Sequence, residues 1–298
     1  MFRGIIPPIP TPLSSDESID GAAVRRVVEL NLAAGVHGIW VLGTTGRFEL
    51  VTDGEQRRMA EQVAESVAGR LPLILNVSEL GTRRVLEKAS WFDDLPYDAY
   101  AVLCPWYREM TKAELTGFFM RLADELSKPI IIYNAPWVQN MLSFDHLRKL
   151  AEHPRIVGVK DVTTSLTRPL AWPSAERNAI GFSYLHGSSL IATGASLGAD
   201  GFVTGLSGVF PELCVAAWNA ARSGDDETAA RLERQLVKLG AALECGPQLA
   251  CLEVLARRRG LLDWMSAHPQ SRLAPDVADK VIAIADECAA LTPDLVES

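Results

Sequence analysis

The stretch IIIYNAPWVQNMLSFDHLRKLAEHPRIVGVK, residues 130–160, contains the pattern that decides the fold. It begins and ends with short runs rich in β-branched residues, at 130–133 and 156–160. Between these runs, residues 144–152 have the apolar spacing of an amphipathic helix. A strand, a helix and a second strand in this order predict two parallel strands joined by a helical crossover.

The same alternation continues in both directions from this unit. β-Rich runs are predicted at residues 5–10, 38–42, 73–77, 99–104, 130–133, 156–160, 181–186 and 201–204. Helical segments follow them at 20–34, 53–68, 82–94, 112–126, 144–152, 165–177, 188–198 and 211–222. Eight such units predict an α/β fold of the (β/α)8 TIM barrel type, because an open doubly wound sheet usually has fewer strands.

The pattern changes near residue 224, where the strands cease. Three further helices are predicted, at 226–243, 247–259 and 275–291, and no long linker precedes them. We therefore expect a barrel formed by residues 1–224 and a C-terminal helical extension, residues 225–298, that packs on it.

Composition narrows the classes of partner and cofactor. A net charge of −8 argues against binding to nucleic acid, because a surplus of carboxylates repels phosphates. The five cysteines are odd in number and form no C-x-x-C pair, and the chain starts with no long apolar run. These features predict a cytoplasmic protein that does not bind a membrane. The histidines lack metal-ligand spacing and no nucleotide-binding glycine motif occurs, so we expect no metal and no cofactor.

Lys160 is the first candidate for a catalytic residue, because barrel enzymes place their chemistry at the C-terminal ends of strands. It ends the run 156–160, and if Val157 and Val159 face the helices, the lysine points into the barrel. Burial there would lower the pKa of the amine and make it a nucleophile toward a carbonyl carbon. The alternatives are a lysine that extends to solvent or one that pairs with Asp161.

Two neighbouring strand ends offer groups that complement an amine nucleophile. Tyr133 ends the adjacent run and would be placed to relay protons, unless it is simply a core aromatic. The turn Gly43-Thr-Thr-Gly46 has glycines that permit unusual backbone angles, and its N–H groups can hold an anion. Thr44 and Thr45 add hydroxyls that can bind a carboxylate or continue the relay, although such turns are also common as purely structural features.

Three ordered motifs carry a family resemblance. Gly43-Thr-Thr-Gly46, Tyr133-Asn-Ala-Pro136 and Gly158-Val-Lys-Asp161 resemble those of the dihydrodipicolinate synthase / N-acetylneuraminate lyase family of class I aldolases. The resemblance covers essentially the whole chain, since residues 7–12, 104–107 and 198–201 also stand where the family has their counterparts.

The resemblance implies a role for each matching residue. Lys160 would form a Schiff base with a 2-oxo acid such as pyruvate, Tyr133 would transfer protons, and Tyr107 would be lent across a subunit interface. Four further residues would bind the substrate or line the pocket beneath the imine: Thr44, Thr45, Gly187 and Val203. The family's usual assembly implies a homotetramer built as a dimer of dimers.

The chain also departs from the family pattern near the site. The family often has a glutamate after its Gly-Thr-Thr-Gly turn, whereas this chain has Arg47, which we count among the candidate substrate-binding residues with Gly43 and Gly46. Dihydrodipicolinate synthases place an arginine shortly after Tyr-Asn-x-Pro, whereas this chain reads Trp137-Val-Gln139. This difference disfavours dihydrodipicolinate synthase activity proper.

The function expected from these residues is a pyruvate-dependent aldolase that cleaves or forms a carbon–carbon bond through a lysine imine. One alternative is a dehydratase of a 2-oxo-3-deoxy sugar acid that uses the same imine, and another is a catalytically silent homologue that binds a keto acid. The second substrate stays open. Trp106, Trp137 and Trp172 would suit an apolar or aromatic group, whereas Arg47 and Arg108 would suit a distal carboxylate.

Overall fold

The computed structural model describes residues 1–163 and 165–289, whose strands form one parallel sheet. The strands are β1 (Gly4–Ile5), β2 (Ile39–Val41), β3 (Leu73–Asn76), β4 (Ala99–Leu103), β5 (Ile130–Asn134), β6 (Ile156–Asp161), β7 (Ser183–His186) and β8 (Gly201–Phe202). All eight lie within or beside the predicted runs.

The sheet closes into a barrel. Each strand from β2 to β8 pairs in parallel with the next strand along the chain, and β8 pairs with β1. The ring is completed between the first and second strands, where Pro8 forms a parallel bridge with Trp40 and the Ile9 amide donates to the Trp40 carbonyl. The predicted (β/α)8 barrel is therefore confirmed.

Helices surround the sheet and continue beyond it. They are α1 (Gly21–Ala33), α2 (Asp53–Val67), α3 (Thr82–Ser90), α4 (Lys112–Glu125), α5 (Phe144–Leu150), α6 (Thr167–Ala171), α7 (Ser174–Ala179), α8 (Ile191–Ser196), α9 (Pro211–Ser223), α10 (Asp226–Ala242), α11 (Gln248–Arg258) and α12 (Pro275–Ala289). Threonine side chains begin two of them. Thr52 accepts from the Glu55 amide, and Thr111 forms a reciprocal capping box with Glu114.

Proline shortens two of the predicted elements. The first strand was predicted over residues 5–10 but has only two ladder residues, because the prolines in that run have no N–H to donate. The helix predicted over 165–177 is two short helices, α6 and α7, separated by Trp172 and Pro173. A proline disfavours helical angles at the residue before it, so the break falls at Trp172.

The C-terminal helices share the apolar core of the barrel. Leu252 on α11 and Met265 after it belong to the same buried cluster as the strand residues, and Leu13 bridges to Trp264. The domain boundary after residue 224 stays a prediction, and the last residues of the helix predicted to end at 291 lie outside the described part. Within that part, none of the helices combines the length and apolar character needed to cross a bilayer. The cytoplasmic location also stays a prediction.

Candidate active site

The C-terminal ends of β5 and β6 bring Tyr133 and Lys160 side by side, since these residues are partners in the strand register. The register shifts by one residue between Ile130 and Ile131. Strand alternation counted from Ile156 therefore does not extend to Lys160, contrary to the sequence-based argument. From Gly158 onward the pairing is regular, and it places the lysine beside the tyrosine.

The Lys160 side chain is buried at the mouth of the barrel, with 5% of its surface exposed. Its Nζ atom lies 4.1 Å from the centroid of the Tyr133 ring and 5.2 Å from that of Trp40. Burial disfavours the charged form and lowers the pKa of the amine to about 7. A substantial fraction of the lysine is therefore a neutral nucleophile near neutral pH.

Asp161 does not pair with Lys160, which removes one alternative interpretation of the lysine. Its carboxylate is fully buried and accepts from Asn134 Nδ2 at 3.1 Å and from Arg168 Nη1 at 2.9 Å. The Tyr184 hydroxyl also donates to it. These bonds anchor the end of β6 from the side away from the lysine, so Lys160 is left without a counter-ion.

Tyr133 connects the lysine to the turn after β2. Its hydroxyl lies 3.1 Å from the Thr44 hydroxyl, within hydrogen-bond distance, and either oxygen can donate. The tyrosine is 1% exposed, and burial raises the pKa of its phenol well above the usual value. It is therefore protonated at neutral pH and can deliver a proton, with Thr44 as the next member of the relay.

The turn Gly43–Gly46 is shaped differently from the sequence-based expectation. Positive φ angles occur at its two flanking residues, Leu42 at 55° and Arg47 at 51°, rather than at the glycines. The glycines are needed for space, because a Cβ on Gly43 would lie 2.9 Å from Trp40 Nε1. The amides of Thr44 and Thr45 donate to no acceptor among the described residues, so they remain available to an anion.

A cavity of about 150 Å³ opens above Lys160. Its lining includes five of the predicted site residues besides the lysine: Thr44, Thr45, Tyr133, Gly187 and Val203. Gly187 follows β7 and is confined, since a Cβ there would lie 2.7 Å from a methyl of Val162. The chain ends of five different strands thus meet around one amine.

Three predicted site residues lie apart from this cavity. Arg47 is 1% exposed, does not line the cavity, and its Nε and Nη2 atoms find no hydrogen-bond partner within the described chain. Burial lowers the pKa of its guanidinium, while the carboxylates of Glu253 and Glu49 oppose that effect. Tyr107 is 69% exposed, and Arg108 lies over its ring at 5.3 Å. Gly46 supports the turn from below, where its carbonyl accepts from Thr11 Oγ1 at 2.7 Å.

The three tryptophans considered for the second substrate separate clearly. Trp137 lines the cavity and packs edge-to-face on Tyr133, with ring centroids 6.2 Å apart. Trp106 packs on Phe48, and Trp172 is buried and stacked on Phe182. Only Trp137 of the three contributes to the cavity lining.

The C-terminal segment supplies cavity residues that sequence reasoning missed. Leu243 follows α10, and Gln248, Leu249 and Leu252 belong to α11. They lie more than eighty residues from Lys160 along the chain, and no local motif distinguishes them. The break at residues 246–247 signals the start of the helix but not its position over the barrel mouth.

Metal-binding side chains do not gather near this cavity. Throughout the described residues, no group of three or more His, Cys, Asp or Glu side chains is arranged to hold a metal ion. The buried His186 on β7 instead lies 2.9 Å from Ser188 Oγ through its Nδ1 atom, and burial lowers its pKa.

Comparison with known proteins assigns the family. The model of the dihydrodipicolinate synthetase family matches residues 1–287, nearly the whole chain. The chain belongs to the dihydrodipicolinate synthetase family. Its members are lyases of the aldolase type, so the protein is an enzyme of this class, as the sequence predicted.

Relatives of known name agree with this membership. The 4-hydroxy-tetrahydrodipicolinate synthase of Acidiphilium cryptum is 33% identical over 245 residues, which cover 82% of this chain and 83% of that protein. The dihydrodipicolinate synthase from Acinetobacter baumannii, solved with pyruvate, has a TM-score of 0.90 at 25% identity and covers 97% of this chain and 99% of its own. The N-acetylneuraminate lyase of Mycoplasma synoviae shares the fold, with a TM-score of 0.82 at 24% identity and coverage of 96% and 97%.

Proposed function

We propose that the protein is a Schiff-base-forming aldolase in which Lys160 binds pyruvate or a closely related 2-oxo acid. The observation that carries this proposal is the buried Lys160 amine, which lacks a counter-ion, has a pKa lowered to about 7, and opens into a cavity. The solved relative from Acinetobacter baumannii, which holds pyruvate, supports the choice of acid.

The first step is attack of the neutral Nζ on the C2 carbonyl carbon, which forms a C–N bond and moves the carbonyl π electrons to oxygen. That oxygen takes a proton from Tyr133, which lies against the amine. Loss of water from the carbinolamine gives the protonated imine. Thr44 and Thr45, with their unused amides, would hold the carboxylate of the acid in place during these changes.

The protonated imine then acts as an electron sink. Loss of a proton from C3 gives an enamine, whose C3 attacks the carbonyl carbon of an aldehyde, and the new alkoxide takes a proton. In the cleavage direction the same bond breaks and the hydroxyl proton leaves. The Tyr133–Thr44 pair is the relay nearest to this position, and water finally hydrolyses the imine to restore the lysine.

We also propose that the site is completed by a second copy of the chain. Tyr107 is 69% exposed on the loop after β4, and Trp137 and Met141 on the loop after β5 are 54% and 44% exposed. Exposed aromatic and sulfur-containing side chains on adjoining loops are typical of an interface. The assembly we propose is a homotetramer, a dimer of dimers, in which Tyr107 extends the relay of the neighbouring site.

Two alternatives use the same amine. A dehydratase of a 2-oxo-3-deoxy sugar acid would form the same imine but expel water from the substrate, so product analysis separates it from an aldolase. Dihydrodipicolinate synthase proper is less well supported, because Trp137 lies in the cavity wall where that enzyme's second substrate would need a carboxylate partner. A silent binder would form the imine without turnover.

The test is borohydride reduction in the presence of pyruvate, followed by intact-protein mass spectrometry. We expect wild-type protein to gain one reduced adduct per chain, which peptide mapping locates at Lys160, and Lys160→Ala to gain none. Absence of an adduct on folded wild-type protein, across a panel of 2-oxo acids, would overturn the proposal.

Lys88 provides the matched control. It is also a buried lysine, 3% exposed, with a pKa lowered by burial, but it lies on α3 with its Nζ 3.5 Å from Glu79 and away from the cavity. Lys88→Gln should keep the full adduct. Loss of the adduct in this variant would mean that burial of a lysine, rather than the Lys160 site, governs trapping.

A further inference from the structure

The cavity above Lys160 has two chemically different walls. The imine side carries the hydroxyls of Thr44, Thr45 and Tyr133. The opposite side is formed by apolar residues and one amide, and its members are Trp137, Val162, Leu243, Gln248, Leu249 and Leu252. Because the keto acid must occupy the side of the lysine, the group attached to its far end meets the apolar wall.

Charge is missing from this apolar wall. Among the described residues that line the cavity, Lys160 is the one with a basic side chain, and the imine consumes it. Arg47 is buried behind the turn and Arg108 lies on Tyr107, so neither faces the cavity. A distal carboxylate on the substrate would therefore be desolvated against leucines without a partner, which is strongly unfavourable.

Hydroxyl groups fare little better there. A polyhydroxylated chain needs a hydrogen-bond partner for each hydroxyl that it buries, and an unpaired hydroxyl costs binding energy. Gln248 is the single side chain of this wall that can donate and accept. The wall therefore accommodates one polar substituent rather than a row of them.

Trp137 adds a preference for flat groups. Its indole is fixed edge-to-face against Tyr133, at an interplanar angle of 85°, while 54% of the residue is exposed. An aromatic ring on the carbon that bonds to C3 would lie next to this indole and over the leucines of α11. Aromatic pairs in offset or edge-to-face contact bind more tightly than their buried area alone predicts.

We propose that the second substrate is an apolar aromatic aldehyde, and this assignment rests on the aldolase function proposed above. In the condensation direction, C3 of the pyruvate enamine bonds to the aldehyde carbon, whose oxygen takes a proton, giving a 4-aryl-4-hydroxy-2-oxobutanoate after hydrolysis of the imine. Cleavage is the exact reverse, and neither direction needs an oxidant, a reductant or another co-reactant.

The test compares three aldehydes with pyruvate on the full-length protein. Benzaldehyde, glyceraldehyde and succinic semialdehyde represent the aromatic, polyhydroxylated and carboxylate-bearing classes, and product is quantified by liquid chromatography with mass spectrometry. We expect kcat/KM for benzaldehyde to exceed those for the other two by at least about tenfold. A preference for either of the others, or no turnover of benzaldehyde, overturns the aromatic assignment.

The trapping experiment separates this failure from failure of the aldolase proposal. If borohydride traps pyruvate on Lys160 and benzaldehyde is not used, the imine stands and the aromatic assignment falls. If pyruvate is not trapped at all, both fall together. Measuring trapping first on the same preparation assigns each result to one of the two proposals.

Variants of the apolar wall test the same assignment. Leu249→Arg places a cation on the wall and should lower kcat/KM for benzaldehyde by about tenfold or more, raise it for succinic semialdehyde, and leave pyruvate trapping intact. Val237→Arg is the control, because Val237 is 52% exposed on α10 and does not line the cavity. Equal effects of the two variants on benzaldehyde would overturn the assignment.

Trp137 gives a second variant that does not threaten folding. Trp137→Ala should raise KM for benzaldehyde roughly tenfold with little change in KM for pyruvate, and Trp137→Phe should restore most of the loss. Trp91→Ala is the control, since Trp91 is 38% exposed at the end of α3 and away from the cavity. An unchanged KM for benzaldehyde in Trp137→Ala would overturn the assignment.

Discussion

The Nζ atom of Lys160 lies 4.1 Å from the ring centroid of Tyr133, and the two residues are register partners on adjacent strands. Their closeness results from backbone pairing rather than from a flexible loop, so it is maintained without a bound ligand. The same burial lowers the pKa of the amine and raises that of the phenol. At neutral pH the pair therefore offers a nucleophile and a proton donor together.

The rate of imine formation should depend on pH with a midpoint near the lowered pKa of Lys160, about 7. The neutral amine is the nucleophile, so the rate with pyruvate should rise about tenfold per pH unit below that pKa and level off above it. Single-turnover trapping between about pH 5.5 and about pH 9.5 measures this profile. A rate that keeps rising to the upper limit would indicate a lysine with an ordinary pKa.

Replacing Lys160 with methionine should stabilise the fold at neutral pH. The unfolded lysine titrates near 10.5 and the folded one near 7, so between these values the unfolded state binds more protons and wild-type stability rises with pH. Below pH 7 the full penalty applies. Lys160→Met removes it and should raise the free energy of unfolding at pH 7 by roughly 3 to 5 kcal/mol.

Urea unfolding at two pH values checks this prediction. The advantage of Lys160→Met over wild type should shrink as the pH approaches that of the unfolded lysine. Lys112→Met, on the exposed start of α4, should change the free energy of unfolding by less than about 0.5 kcal/mol. A destabilised Lys160→Met protein, or a difference that does not vary with pH, would contradict the lowered pKa.

Removing the Tyr133 hydroxyl should separate binding from turnover. Tyr133→Phe keeps the ring against Lys160 but removes the hydroxyl that meets Thr44 at 3.1 Å. We expect borohydride trapping of pyruvate to persist while kcat falls roughly a hundredfold to ten-thousandfold, as for loss of a general acid–base group.

Tyr97 provides the control for this variant, because it is a buried tyrosine outside the cavity whose hydroxyl donates to the Ala60 carbonyl at 2.9 Å. Tyr97→Phe should cost about 1 kcal/mol of stability and leave kcat unchanged. Equal losses of kcat in Tyr133→Phe and Tyr97→Phe would argue for a general packing effect rather than proton transfer.

Gly187 should not tolerate a side chain, because a Cβ there would lie 2.7 and 2.8 Å from the two methyls of Val162. Gly187→Ala should lower the free energy of unfolding by about 1 to 3 kcal/mol and raise KM for pyruvate, since the loop must shift beside Lys160. Adding Val162→Ala removes both methyls and should recover much of the stability, which a double-mutant cycle measures.

Gly117 on α4 is the matched glycine, because nothing lies within 4 Å of where its Cβ would be. Gly117→Ala should be neutral or stabilising by up to about 1 kcal/mol, as expected in a helix interior. If Val162→Ala gave no recovery in the Gly187→Ala background, the steric explanation would be wrong.

The barrel was predictable because its signal is local and repeated. Each β-rich run and each amphipathic segment is recognisable in its own ten to fifteen residues, and eight repeats leave few alternatives. The two errors of extent, at residues 5–10 and 165–177, arose where proline removes an N–H or disfavours a helical angle within a stretch of suitable hydrophobicity.

The candidate site was only partly predictable. Lys160, Tyr133 and the Gly43–Gly46 turn lie at strand ends, where the fold itself indicates function. Arg47 follows that turn in sequence, yet its side chain is buried away from the cavity. Its positive φ of 51° turns the chain at this point, and nothing in the neighbouring residues indicates that conformation.

The sequence by itself determined the barrel, the order of its strands, and the amine, phenol and hydroxyls that meet at its mouth, because strand periodicity and family motifs are short-range patterns. Only the tertiary structure decided that α11 covers this mouth with Leu249 and Leu252, that Trp137 joins them, and that Arg47 does not. The reason is physical. Contacts between residues eighty or more positions apart depend on how whole helices pack, and packing is a property of the assembled core rather than of any one segment.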